Sequence, residues 1–233
     1  MTEGRFYDDA ALVRERSVLR NVYLWMAAGL ALTGIGALGV ASNPRYIQAI
    51  YSNRLVYMVL LFAPIGIVWY LSARIMSLSA GAATLWFSAF AALMGASLSS
   101  VFLVYTGTSV AATFFITAGT FAAMSVYAVT TRRDLAAFSS YLVMGLWGLI
   151  IASLVNLFLK SSGLDWLISL VGVAVFIGLT AWDTQVIKGW SARAAGEDES
   201  FFLRLSIMGA LKLYLDFINL FLFMLRFFGR RRD

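Results

Sequence analysis

Seven times along its 233 residues the chain holds an apolar run of about 20 residues, the length of helix that crosses a hydrocarbon core of roughly 30 Å. In that core every backbone N–H and C=O must be paired within the chain, so runs of this length are helices. They fall at about 21–41, 55–73, 80–104, 111–130, 137–158, 166–187 and 206–227. Only 13% of the residues are charged and the mean hydropathy is +0.82, whereas a soluble domain carries about 25% charged residues. The expected fold class is therefore an all-α integral membrane protein, a bundle of seven transmembrane helices. Residues 1–20 form a cytoplasmic polar tail and 21–233 a single membrane domain, because no hydrophilic segment is long enough for a second one.

The net charge of +6 and the pI near 9.8 do not describe a nucleic-acid surface, because the basic residues lie between the apolar runs and at the two ends. Such charges set orientation through the excess of Lys and Arg in cytoplasmic loops. With the N-terminus inside, the cytoplasmic segments hold Arg5, Arg14, Arg16, Arg20, Arg74, Arg132, Arg133, Lys188, Arg193 and Arg204, and the opposite loops only Arg45, Arg54 and Lys160. Seven complete spans place Arg230, Arg231 and Arg232 outside. The alternative is a re-entrant last helix that keeps this tail inside.

Within the expected spans stand two acids, Asp183 and Asp216. A charge at the bilayer centre costs roughly 2.5–3.5 kcal/mol on insertion scales, so an acid there points to function. There is no Cys and no His; thiolate metal sites are excluded, and pH sensing falls to carboxylates. Asp183 lies about one turn from the cytoplasmic end of the sixth span, among Thr180, Thr184 and Gln185. It is either solvated at the interface or part of a polar, protein-facing patch. Asp216 lies about 15 Å into the seventh span, at a rise of 1.5 Å per residue. Lys212 and Asn219 share its helix face, and Lys212 either neutralises it as an intrahelical pair or acts as a latch. Consecutive antiparallel spans pack side by side; if the two acids meet in a low dielectric, one proton is shared between them. Deprotonated, they form an oxygen-rich spot suited to a hard cation such as Ca²⁺.

Other features read as architecture. Gly29, Gly34, Gly36 and Gly39 in the first span, with Gly95 and Ser99 in the third, are expected to let helices approach closely. Pro64 is expected to kink the second span. Trp25, Trp166 and Trp190 fit interfacial anchors. The cluster Glu197, Asp198 and Glu199 reads as a solvated turn, without the alternating ligands and glycine of a dedicated Ca²⁺ loop.

Three strings, GASLSSVFLVYTGTSVAATFFITAGTFAAMSVYAVTTRRDL at 95–135, GLTAWDTQVIK at 178–188 and GALKLYLDFINLFLFMLRFFGRR at 209–231, resemble the Bax inhibitor-1 family in its bacterial, YccA/YetJ-like branch. The resemblance covers nearly the whole chain after the tail. It implies seven helices with the last one central, in a bacterial inner membrane. It also implies a pH-sensitive Ca²⁺ leak governed by an aspartate pair on the last two helices, which maps onto Asp183 and Asp216. The family's arginine on the second helix has Arg74 as its counterpart here, while the second span holds no Asp or Glu. Two other roles come with the resemblance: modulation of an FtsH-type membrane quality-control protease, with residues 1–20 as the handle, and suppression of stress or cell death. Paired aspartates also occur in intramembrane proteases, but the Gly-x-Gly-Asp turn of those enzymes is replaced here by Leu213-Tyr214-Leu215-Asp216. No enzymatic activity and no bound cofactor are expected; the expected partners are lipid, protons, Ca²⁺ and a membrane protease.

Overall fold

A computed structural model describes residues 2–193 and 198–232, without the side chains of residues 2–17, 51 and 191–193. Glu197 and the side chains of Arg5, Arg14, Arg16 and Arg193 thus lie outside the described residues. The architecture is all-helical: α1 (Thr2–Ala41), α2 (Pro44–Ser52), α3 (Arg54–Arg74), α4 (Ala80–Leu98), α5 (Val101–Val104), α6 (Gly107–Thr130), α7 (Ser139–Leu159), α8 (Ser162–Arg193) and α9 (Glu199–Phe228). Seven stretches are long and apolar enough to cross a membrane: Val18–Ala41, Arg54–Ser77, Ala80–Val104, Gly107–Thr130, Leu135–Leu159, Ser162–Trp190 and Glu199–Phe228.

The boundaries follow local chemistry. Side chains of Asn43, Asn53, Ser79 and Thr106 accept from the first free amides of α2, α3, α4 and α6, the usual role of short polar residues at a helix start. Asp198 does the same for α9, its Oδ1 accepting from Phe201 N at 2.6 Å, so this member of the acidic cluster is a helix cap. The third span is interrupted where Ser99 and Ser100 turn their hydroxyls onto the carbonyls of Ala96 and Ser97, an alternative to the helical ladder. Pro44 opens α2, a short helix within what the sequence reads as a connecting loop. The sixth and seventh spans are longer at their facing ends than expected. Asp183 consequently lies seven residues inside the end of its span at Trp190, about 10 Å at 1.5 Å per residue.

The chain forms two compact units, Met1–Val104 with Ile187–Tyr214, and Tyr105–Val186 with Leu215–Asp233. In the first, α1 packs on α4 through small residues. A side-chain carbon added at Gly95 would stand 2.6 Å from the Thr33 carbonyl and 3.1 Å from Gly36 Cα, and one at Gly29 would press on the Phe87 ring. Gly34 and Gly39 meet nothing within 4 Å, so only part of the expected glycine set is a packing face. The first half of α9 enters this unit through Tyr214, fully buried and edge-on to Phe87 and Phe90. Thr33 gives its hydroxyl proton to the Ala91 carbonyl at 2.8 Å. Having only one proton, it accepts from the Tyr214 hydroxyl at 2.7 Å. Arg204 Nη1 donates to the Leu78 carbonyl at 2.9 Å, beyond the end of α3.

In the second unit the last half of α9 packs against α6, α7 and α8. Phe217 meets Phe114 and Phe121 of α6, with ring centroids 5.4 and 5.6 Å apart. Leu220 and Met224 join Leu149 of α7 and Ile168, Val175, Phe176 and Leu179 of α8 in one buried cluster. Beyond α9 the tail folds back on the start of α6: Tyr105 and Arg231 form a bridge, Thr106 N donates to the Arg230 carbonyl and Arg230 N to Ser109 Oγ. The helix is unbroken over its 30 residues, about 45 Å. A re-entrant turn has no place in it.

Candidate functional site

Asp183 and Asp216 both belong to the second unit and are buried, 4% and 6% exposed. Burial overturns the reading of Asp183 as a carboxylate solvated at the interface. Its surroundings are polar, with Thr180 and Thr184 fully buried beside it.

The relation of the two acids follows from a ring pair. Phe176 of α8 and Phe223 of α9 stack with centroids 5.7 Å apart and planes at 28°. The stack is allowed by Gly172, where a side-chain carbon would fall 2.5 Å from the Phe223 ring. Asp183 lies seven residues after Phe176, and Asp216 seven residues before Phe223. Seven residues are nearly two full turns of helix, so each acid shares the face of its own ring and stands about 10.5 Å along the axis from it. Because the two helices run in opposite directions here, both steps lead the same way. The acids therefore occupy one level.

The opposite side of the ring pair is closed by charge. Arg226 lies over the Phe223 ring at 5.6 Å and pairs with Asp165 at 3.4 Å. On the acid side, Gln185 ties the loop before α7 to α8: its Oε1 accepts from Leu135 N at 2.8 Å, and its Nε2 donates to the Arg133 carbonyl at 2.9 Å. Arg132, Arg133 and Asp134 line an open cavity of about 390 Å³ with Trp182 and Gln185. This loop thus lies at the end of α8 that carries Asp183.

The supporting residues are placed less uniformly. Lys212 is half-buried one turn before Asp216. Asn219 directs its amide to the Leu215 carbonyl of its own helix at 2.8 Å. Arg74 is exposed at the last turn of α3, in the first unit. Among the described residues no group of three or more Asp, Glu, His or Cys could hold a metal ion. A cation at the two acids would complete its shell from hydroxyls, carbonyls and water. Ser125, which the sequence does not single out, is buried on α6, and its spacing from Thr113, Thr117 and Phe121 draws a single stripe along that helix.

A family model described as "Inhibitor of apoptosis-promoting Bax1" matches residues 15–233. The chain belongs to the Bax inhibitor-1 family. Among its relatives, the inner membrane protein YbhL of Escherichia coli K12 is 46% identical over 98% of this chain and 99% of its own length. Uncharacterized proteins of Rickettsia prowazekii and Borreliella burgdorferi are 48% and 45% identical, over 94% and 92% of this chain and 91% and 92% of their own lengths. This Bax inhibitor-1 family member is accordingly a multi-pass protein of a bacterial inner membrane.

Proposed function

We propose that the protein is a pH-sensitive leak for Ca²⁺ or a similar hard cation, gated by Asp183 and Asp216. The observation that carries this reading is that two buried carboxylates occupy one level of adjacent helices, each two turns from the same ring pair. In a low dielectric two such groups do not ionise independently and hold one proton between them. Losing that proton leaves two negative charges and four oxygens, which attract a hard cation. On one side of the acids stands the Phe176–Phe223 stack capped by Arg226; on the other, the cavity at Arg132, Arg133 and Asp134 provides a mouth. Lys212, one turn before Asp216 on the same helix, is offered as the counter-charge. The excess of Lys and Arg in the loops on the side of the N-terminus supports a cytoplasmic N-terminus, and seven spans then carry the C-terminus to the outside. Nothing in Leu213-Tyr214-Leu215-Asp216 supplies the flexible turn of a protease, and we assign no catalysis.

Proteoliposomes loaded with a Ca²⁺ dye test this. Asp183→Asn and Asp216→Asn are expected to change the flux and flatten its dependence on pH; the same pH-dependent flux in both variants would sink the assignment. A second role, as modulator of a membrane protease, draws support from α1, which continues as helix for residues 2–17 ahead of its span. Deleting that extension should abolish co-purification with such a protease while sparing the leak.

A further inference from the structure

We propose that Ser125 faces the aspartate pair from α6 and supplies a third oxygen to a buried site for a hard divalent cation. The inference rests on the reading of Asp183 and Asp216 given above and adds a residue from a third helix.

Ser125 is 6% exposed, and its Oγ is fully shielded yet has no hydrogen-bond partner among the described residues. Most hydroxyls on the helices behave otherwise. On the same helix Thr117, Thr120 and Thr130 each donate to the carbonyl four residues back, as Ser169, Thr180 and Ser206 do elsewhere. A hydroxyl in a helix satisfies itself in this way when nothing better is offered. A buried one left unmade destabilises the fold, so a shielded hydroxyl turned away from its own backbone marks a place where a ligand supplies the partner.

Its position identifies the ligand. Phe121, Ser125 and Ala128 stand at i, i+4 and i+7 and share one face of α6. Phe121 packs on Phe217, the residue after Asp216. Ala128 joins Ala181 in a buried cluster against which Trp182 packs, directly before Asp183. Ser125 is therefore bracketed along its face by contacts with the chain neighbours of both acids. Two carboxylates alone are too few for a hard cation that takes six to eight oxygens. The Ser125 oxygen adds a lone pair toward the ion, and water completes the shell and takes its proton as a hydrogen bond.

The test is Ca²⁺ binding to the full-length protein in detergent by isothermal titration calorimetry, with melting followed without Ca²⁺. Ser125→Ala is expected to weaken Ca²⁺ binding roughly tenfold, the scale of losing one supporting contact at a metal, while the melting temperature without Ca²⁺ stays level or rises. The second part follows because Ala removes a hydroxyl that has no structural partner. Unchanged affinity in Ser125→Ala, with binding weakened in Asp183→Asn and Asp216→Asn, would overturn the role of Ser125 and leave the acid pair standing. A lower melting temperature without Ca²⁺ would reveal a structural partner and overturn it too. Absence of Ca²⁺ binding by the unmodified protein would overturn both readings together.

Discussion

The fifth and seventh spans invert the rule learned from soluble proteins. Leu135–Leu159 has the highest mean hydropathy of the seven, 2.3, and only 6% of its most apolar window is buried; Glu199–Phe228 stands at 1.6 with 67% buried. On α7, Phe158 is 83% and Leu157 68% exposed, while Leu213, Tyr214 and Leu220 of α9 are fully covered. Lipid is as apolar as leucine, so hydropathy reports contact with the bilayer rather than with the protein core. What encloses a helix in a membrane is close packing and polar pairing. On α9 these are visible as Phe223 over Gly172 and the Tyr214 hydroxyl on Thr33.

The contrast can be broken by matched substitutions. Leu220→Ala should cost about 2–5 kcal/mol by removing a fully packed side chain, whereas Leu157→Ala, which faces lipid, should cost well under half of that. Thermal unfolding in bicelles measures both, and equal losses would show that α9 is no better packed than α7. Next in size, Gly172→Ala must displace the Phe223 ring and should cost about 1–3 kcal/mol. Gly148→Ala on α7, with nothing within 4 Å, should be neutral or stabilising by up to about 1 kcal/mol, since Ala is the better helix former. The smallest effect is expected at a single hydroxyl. Tyr214→Phe removes the bond to Thr33 and should cost about 1 kcal/mol, while Tyr141→Phe, 71% exposed on α7, should be silent in the same assay.

Much of this was legible residue by residue. Spans show in hydropathy because hydrocarbon imposes a length and a backbone pattern on each segment alone. Caps at Asn53, Ser79 and Thr106 show because a short polar side chain acts within a few residues of itself. The two acids show because they are expensive where they stand. Legibility failed where the answer depends on a distant partner. Gly36 and Gly95 meet each other while Gly34 and Gly39, with the same chemistry, meet nothing. Asp183 could be read as solvated because the continuation of α8 past residue 187 is written in polar residues that hydropathy assigns to a loop. Ser125 looked like any other hydroxyl of an apolar helix.

By itself the sequence determined seven spans, their rough limits, two acids within them and the family to which the chain belongs. Each of these depends on how a segment meets its solvent or on a run of neighbouring residues. The family resemblance already implied a central last helix, which the structure shows enclosed; tertiary structure alone decided the level at which Asp183 and Asp216 stand and that Ser125 keeps its hydroxyl off its own backbone. Those outcomes arise from the register of antiparallel helices, set by Phe223 seating against Gly172 and Phe176. Such contacts join residues about 50 positions apart in the chain, and no periodicity within a single helix encodes them.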